Sequence, residues 1–325
     1  MKGDVIILLS SLIQNCSAMR KIILIVLLLQ CTALLAQPYI EIAGLQYGNF
    51  GISNLYKGKD EWRVKNDWLY SAINLPLKVG KRDYLLLSPV YEQKRFHDDV
   101  TEFDALSLTT VQSPVFYEET FYSAGLPITY IHTLNDTSKR IIACYLYHQN
   151  WSSKIKPGWT TDQHGGAFIY SNTVSPKFTW KAGLYYNREF YGDYIMPLLG
   201  FEWTPSDKLF LWGLLPNNAT LDFTNGGPFH IGINYRGVED SFAEGFNDCF
   251  HLTEGEVEFF GSYYLPNTPL ALSVEVGQTV AREYEYNLRT YNGDITMKTR
   301  PAESLFFRAG IAMRVVTDKR FKTRF

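Results

Sequence analysis

The chain has only one long apolar run among its 325 residues, near the N-terminus, which excludes a bundle of membrane helices. A mean hydropathy of -0.14 agrees with that exclusion. Charge of one sign is missing as well: 31 basic and 33 acidic residues leave a net charge of -2, which excludes a strongly basic nucleic-acid binder. There is no HExxH, no Cys-x-x-Cys and no glycine-rich phosphate loop, so neither a metal nor a cofactor is expected. Cysteine is scarce. Cys16 and Cys31 lie in the N-terminal segment, which leaves Cys144 and Cys249, enough for one disulfide but not for a disulfide framework.

Aromatic residues, by contrast, are abundant. Tyr (22) and Phe (21) bring the aromatic share to 15%, as expected where amphipathic rings sit at a membrane interface. The apolar run has the grammar of an export signal. Arg20 and Lys21 supply a positive start, Ile22 to Leu29 an apolar core, and Ala33-Leu34-Leu35-Ala36 a small-residue exit with cleavage expected at Ala36–Gln37. Met19 directly precedes Arg20, so translation could start there. A retained anchor is the weaker alternative because the run is shorter than the ~18–20 residues a span needs. A lipoprotein signal through Cys31 is weaker again, since Gln30 stands where a small residue is required. The chain thus divides into a leader, 1–36, and one domain, 37–325, without linker, low-complexity stretch or fixed-length repeat.

Period-two alternation dominates that domain. In Lys177–Leu184 the residues Phe178, Trp180, Ala182 and Leu184 fall on one side, while Lys177, Thr179 and Lys181 fall on the other. Strands are expected near 38–48, 66–78, 84–97, 115–134, 140–152, 163–174, 177–188, 194–203, 208–223, 229–239, 252–265, 269–283 and 303–316. Short turns at 79–83, 135–139, 174–176 and 204–207 alternate with longer loops at 49–64, 98–114 and 153–162. Short turns on one side and long loops on the other are the habit of outer-membrane barrels, whose strand number is even. The odd tally of thirteen, and the tight turn Leu265-Pro266-Asn267-Thr268-Pro269 on the wrong side, are both repaired if 208–223 reverses at Pro216-Asn217-Asn218. The expected fold is therefore all-β, an antiparallel transmembrane β-barrel of twelve to fourteen strands.

Parity then assigns faces. Leu305, Phe307, Ala309, Ile311, Met313 and Val315 should meet lipid, as should Leu270, Leu272, Val274 and Val276, and Val257, Phe259 and Tyr263. An ionised side chain on that face costs ~2–4 kcal/mol at the midplane. The charges of the same strands must then point inward: Glu256, Glu258, Glu275, Arg308 and Arg314, joined by Arg236 and Lys181 from other strands. These could form a cross-strand ladder that serves as a charged path for a small polar solute. Equally, they could form a salt-bridged filling that keeps a narrow barrel rigid, and the sequence favours the filling.

Histidines 97, 132, 148, 164, 230 and 251 are scattered over six strands without metal-ligand spacing. His148 and Ser152 share a strand face but sit roughly 13 Å apart, too far for direct activation of the serine. The sequons at Asn135, Asn150 and Asn218 carry no meaning in a bacterial envelope.

The segment Ser152–Pro216 resembles a family of uncharacterised outer-membrane β-barrels common in Bacteroidota-type bacteria. Asp162-Gln163-His164-Gly165-Gly166-Ala167, Lys181-Ala182-Gly183-Leu184-Tyr185-Tyr186, Pro197-Leu198-Leu199-Gly200, Thr204-Pro205-Ser206-Asp207 and Leu214-Leu215-Pro216 carry the likeness. It implies a transmembrane barrel with no assigned activity, so no catalytic residues follow from it. The terminal Phe325 looks like a barrel-assembly signal, although the basic tail 319–324 separates it from the last alternating strand.

The expected protein is a porin-like barrel of the bacterial outer membrane and not an enzyme. Its partners would be outer-membrane lipid, the barrel assembly machinery and a small solute, with no nucleic acid. It would act as a passive pore, a solute or lipid conduit, or a structural component of the envelope. An outer-membrane lipid hydrolase using a lumenal or rim histidine is one alternative. A secreted carbohydrate-binding β-sandwich is another, but it would need polar residues where Phe178, Trp180 and Leu184 stand.

Overall fold

Alternating side chains can satisfy lipid on one face only if every backbone amide finds a partner in the sheet, and the chain meets that demand by closing on itself. The computed structural model describes residues 39–57, 60–98, 119–245, 248–290 and 293–316. The leader at 1–36, nearly all of the loop expected at 98–114, and Phe325 lie outside the described residues.

The strands are β1 (Tyr39–Lys57), β2 (Asp60–Ile73), β3 (Leu75–Lys78), β4 (Asp83–Leu87), β5 (Val90–Asp98) and β6 (Glu119–Gly125). Next come β7 (Ile128–Thr133), β8 (Lys139–Ser152), β9 (Asp162–Ser175), β10 (Phe178–Glu189), β11 (Gly192–Ser206) and β12 (Leu209–Leu215). The last are β13 (Asn218–Thr224), β14 (Phe229–Ala243), β15 (Cys249–Tyr264), β16 (Leu270–Thr290), β17 (Gly293–Thr299) and β18 (Leu305–Val316). Each strand pairs antiparallel with its neighbour, and β1 pairs with β18 from Tyr39↔Val316 to Phe50↔Phe306, which closes the barrel. Four spanning strands are each broken in two (β2/β3, β4/β5, β6/β7 and β17/β18), so the barrel has fourteen.

The reversal at Pro216-Asn217-Asn218 is there, with Leu214↔Asn218 as the last pair of the β12–β13 ladder. It restores the even count and puts Leu265–Pro269 at the short-turn end, where Asn267 takes the left-handed conformation (φ 58°) that asparagine tolerates. At the same end, Asp136 turns the chain between β7 and β8. Hydrogen bonds from Ser138 and the Lys139 ammonium hold its carboxyl down to about 2.

Three of the breaks, β2/β3, β4/β5 and β6/β7, share a cause. Asn74, Ser88-Pro89 and Leu126-Pro127 form one kink line across adjacent strands, bridged by Ile73 N–H to Pro89 O (3.0 Å), Ser88 N–H to Pro127 O (2.9 Å) and Leu126 N–H to Tyr147 O (2.8 Å). Proline removes a ladder donor, and the neighbouring amides re-form the ladder one step over. One expectation fails here. The segment 49–64 is no loop, because β1 and β2 stay paired as far as Lys57↔Asp60. The connection at 190–191 is equally tight.

The faces follow parity. Leu272, Val274, Val276 and Val280 form an exposed apolar row on β16, while Ala271, Ser273, Gly277 and Thr279 between them are buried. Leu305, Phe307 and Ile311 continue the apolar surface on β18, and Phe178 and Leu184 on β10. Inside, Val64, Phe96, Phe121, Phe242, Phe250, Leu252 and Tyr284 fill the long-loop end, and Phe210, Tyr264 and Ala271 pack nearer the short-turn end.

Val274→Arg places a charge in the middle of the β16 apolar row, and it should cost about 2–4 kcal/mol in denaturant unfolding from lipid vesicles. The same change at Gln278, already polar, should cost far less.

Candidate functional site

Inward charges in a barrel have only each other, and they assemble around Arg308. Its guanidinium bonds Glu256 through Nη2 (2.5 Å) and Glu258 through Nη1 (2.6 Å), with Glu275 at 4.0 Å. Glu256 and Glu258 belong to β15, yet Arg308 is on β18 with β16 between them. The reach is possible because β16 presents Gly277 opposite Glu258, so the arginine spans a strand that offers no bulk. Gly48, paired with Arg308 across β1, is the second concession: a Cβ there would come within 2.7 Å of the Arg308 Cγ. Arg308 is 1% exposed and lies over the rings of Phe306 (4.3 Å), Trp68 (4.6 Å) and Phe50 (5.2 Å). Cation–π attraction is strong in so dry a setting.

A second cation extends the belt. Arg236, opposite Glu256, bonds it through Nε at 3.4 Å, lies 3.9 Å from Glu92 and 4.8 Å from the Trp68 ring centroid. Glu92 in turn accepts from Trp68 Nε1 (2.6 Å) and pairs with Lys94 (3.3 Å), whose ammonium also meets Asp240 at 2.5 Å. Asn234 donates to Glu258 (2.6 Å) and Gln46 to Glu275 (3.2 Å), which occupies the remaining carboxylate oxygens. Charges of alternating sign are the arrangement that a buried ionic network requires, and here every carboxylate of the belt has a partner while the buried Arg308 Nε has none among the described residues.

The seven charges expected to face the lumen are thus not one cluster. Arg236, Glu256, Glu258, Glu275 and Arg308 come together in the belt. Arg314 stands nearer the short-turn end, bonded to Glu41 (3.1 Å) and over the Tyr39 ring. Lys181 is across the barrel, paired with Glu202 of β11. Sequence reasoning missed Trp68, Glu92, Lys94 and Asp240. On β5 the opposite parity also carries polar side chains, Gln93, Arg95 and His97, so alternation there does not say which face is wet.

Two cavities flank the belt. One of about 160 Å³ lies toward the short-turn end and includes Tyr39, Gln46, Ser262 and Arg314 in its wall. The other, about 550 Å³, lies between the inner face of β10 (Tyr185, Asn187, Glu189) and β14 (Val238, Glu239, Asp240). Both are lined by Thr220, Asn234 and Arg236.

The larger cavity exists because the upper part of β14, still paired with β15 as far as Ala243↔Cys249, turns into the lumen. Ala243 pairs in parallel with Trp151 of β8, six strands away in the barrel order, a contact that can only be made through the lumen. Ser241 anchors the crossing. Its carbonyl accepts from Asn150 (3.0 Å), and its hydroxyl donates to Glu189 (2.6 Å) and accepts from Gln163 (2.7 Å) and the Phe190 amide (3.2 Å).

The histidines do not gather. His97 pairs with Asp67, His132 with Asp83, His164 with Tyr145, His230 with Asp222 and His251 with Glu239. His148 lines the larger cavity. Ser152, on the same strand, accepts from the Lys154 amide (3.3 Å). Among the described residues no three of His, Cys, Asp and Glu stand as a metal would need them, and Cys144 and Cys249 are free thiols.

No protein-family model and no curated protein matches the chain. Solved outer-membrane barrels resemble it in shape at very low identity. An outer-membrane channel from Pseudomonas putida F1 is 8% identical over 86% of this chain and 97% of that one, with a TM-score of 0.46. The Pseudomonas putida toluene transporter TodX is 8% identical over 86% and 93% (TM-score 0.34). The translocator domain of the Neisseria meningitidis autotransporter NalP is 10% identical over 93% of this chain and 98% of that one, with a TM-score of 0.33.

Arg308→Leu would strand Glu258 without its cation and leave Glu256 with Arg236 alone (3.4 Å), and it should cost about 3–5 kcal/mol in the same unfolding measurement. Neutralising the carboxylates too, with Glu256→Gln and Glu258→Gln, should recover much of that loss.

Proposed function

We propose that the barrel is a conduit for small polar solutes across the bacterial outer membrane, uncharged or cationic rather than anionic. One observation carries this: the two cavities share Thr220, Asn234 and Arg236, so polar volume lies on both sides of the neck that these residues of β13 and β14 form beside the ionic belt. Arg236 stands at the neck, while Arg308 serves as the fixed pillar beside it. Acidic groups in the larger cavity (Glu41, Glu92, Glu189, Glu239 and Asp240) outnumber its one lining arginine, which disfavours anions.

The filled-barrel alternative has its own support in the buried aromatic cluster at the long-loop end, which narrows the axial route. In our reading the short-turn end is periplasmic, export uses the N-terminal leader, insertion uses the barrel assembly machinery, and the kinship is with Bacteroidota-type barrels. The reading is also non-enzymatic, so labelled phospholipid should remain intact on incubation with the protein.

Liposome swelling decides between conduit and filling. Vesicles carrying the protein should swell in arabinose faster than empty vesicles, and Arg236→Ala should speed the swelling severalfold by widening the neck. Swelling no faster than in empty vesicles, for both wild type and Arg236→Ala, would refute the conduit.

A further inference from the structure

The barrel wall has a notch. The β11–β12 ladder stops at Leu199↔Leu215, and the β13–β14 ladder stops at Asn218↔Arg236, followed by one bond from Gly237 N–H to Asn217 O (2.7 Å). Above those levels β11 continues from Leu198 back to Gly192 with β10 as its only ladder partner, and β14 continues inward to Ala243. Among the described residues no ladder joins β11 to β14. Two strands are thus missing between β11 and β14 above those levels, each worth ~4.8 Å of width, and the β10–β11 tip closes the opening from above, with the Tyr191 hydroxyl donating to Glu239 (3.0 Å) and the Phe190 amide to the Ser241 hydroxyl (3.2 Å).

An unpaired strand edge cannot face hydrocarbon and persists at membrane depth only where it lines a polar cavity. The β11 edge carries Pro197, which has no amide to leave unpaired, and proline is confined to such edges. The notch straddles the membrane interface. Below it the outward residues are apolar, Leu199 on β11 and Ile231 and Ile233 on β14, and Ile195 stands outward midway along its β11 edge. At its upper part stand Asp193, bonded to the Tyr186 hydroxyl (2.9 Å), and Glu239, bonded to His251 (2.7 Å) and Tyr191 (3.0 Å).

We infer that this notch is the side door of the larger cavity and that the pair forms a binding site for an amphiphile. A neutral, hydroxyl-rich headgroup occupies the cavity, and its hydrocarbon stays outside between β11 and β14. The inference rests on the cavity serving as a solute site, as in the conduit reading, and adds the route and the ligand class. Asn150 is 2% exposed, and its Oδ1 has no hydrogen-bond partner; His148 Nε2, two residues away on the same face, has none either. Asn187, Asn217 and Asn218 add amides that both donate and accept. A hydroxyl also does both, whereas an ammonium only donates and a phosphate would meet the acidic excess. The buried aromatic cluster at the long-loop end makes the sideways route the shorter one.

The test uses full-length protein in phosphatidylcholine vesicles with photoreactive benzoylphenylalanine at position 195, beside the notch, or at position 307 on the remote lipid face. The probe is labelled dodecyl maltoside. Capture at 195 should exceed capture at 307 severalfold, and unlabelled octyl glucoside should suppress it while free maltose and dodecyl phosphate do not. Val238→Trp and, independently, Asn217→Trp should lower it to the level at 307, in protein that still shifts on unheated gels. Equal capture at the two positions, suppression by free maltose, or indifference to both tryptophan variants would overturn the proposal. Capture at 195 that persists in vesicles impermeable to arabinose would support the site and refute the conduit.

Discussion

A backbone amide in hydrocarbon has no water to fall back on, and the rest of the structure is organised by that constraint. It forces β1 onto β18 and makes the barrel closed. Closure fixes parity, parity sends Glu256, Glu258, Glu275 and Arg308 inward, and the narrow interior then forces those charges to find one another. Arg308 is where they converge, reaching across Gly277 to Glu256 and Glu258 with Trp68 and Phe306 at its faces. The belt is thus a consequence of the wall. Its energy comes from completeness, because each carboxylate has a partner and loss of any one cation would leave buried charge uncompensated.

The same constraint gives the upper part of β14 its significance. Above Gly237 β14 keeps its β15 ladder as far as Ala243↔Cys249 but has no β13 beside it, and Ser241 and Ala243 satisfy that free edge on the inner faces of β8, β9 and β10. The departure divides the lumen, creates the larger cavity and opens the wall beside β11. The short β12–β13 hairpin and the inward β14 are two halves of one device: were the hairpin as tall as its neighbours, β14 would have a second partner beside β15 and no reason to bend. Membrane exposure, a polar interior and a gap in the wall at headgroup level therefore have a single structural origin.

Much of the wall was legible in the sequence because its physics is local. Parity along Leu305–Val315 and Leu270–Val276 assigned lipid and lumen faces, and Pro216 marked the reversal that makes the strand number even. The site was less legible, for three reasons. Arg308 pairs over an intervening strand, so no neighbour rule predicts its partners. Lys94 and Arg95 are adjacent and both charged, so alternation could not tell which one the barrel buries. The inward path of β14 depends on Asn150, Gln163 and Glu189, between roughly fifty and ninety residues earlier in the chain, and nothing near Ser241 announces it. Segment 49–64 was misjudged because polar residues that suit a loop also suit strands projecting beyond the membrane.

The central claim, a lipid-facing wall around a packed polar lumen, is tested most directly by a nitroxide scan from Leu305 to Ala312 in reconstituted protein. Accessibility to oxygen should alternate with period two, high at 305, 307, 309 and 311 and low at 306, 308, 310 and 312. A flat profile, a helical period, or high accessibility to a water-soluble relaxant along the whole segment would contradict it.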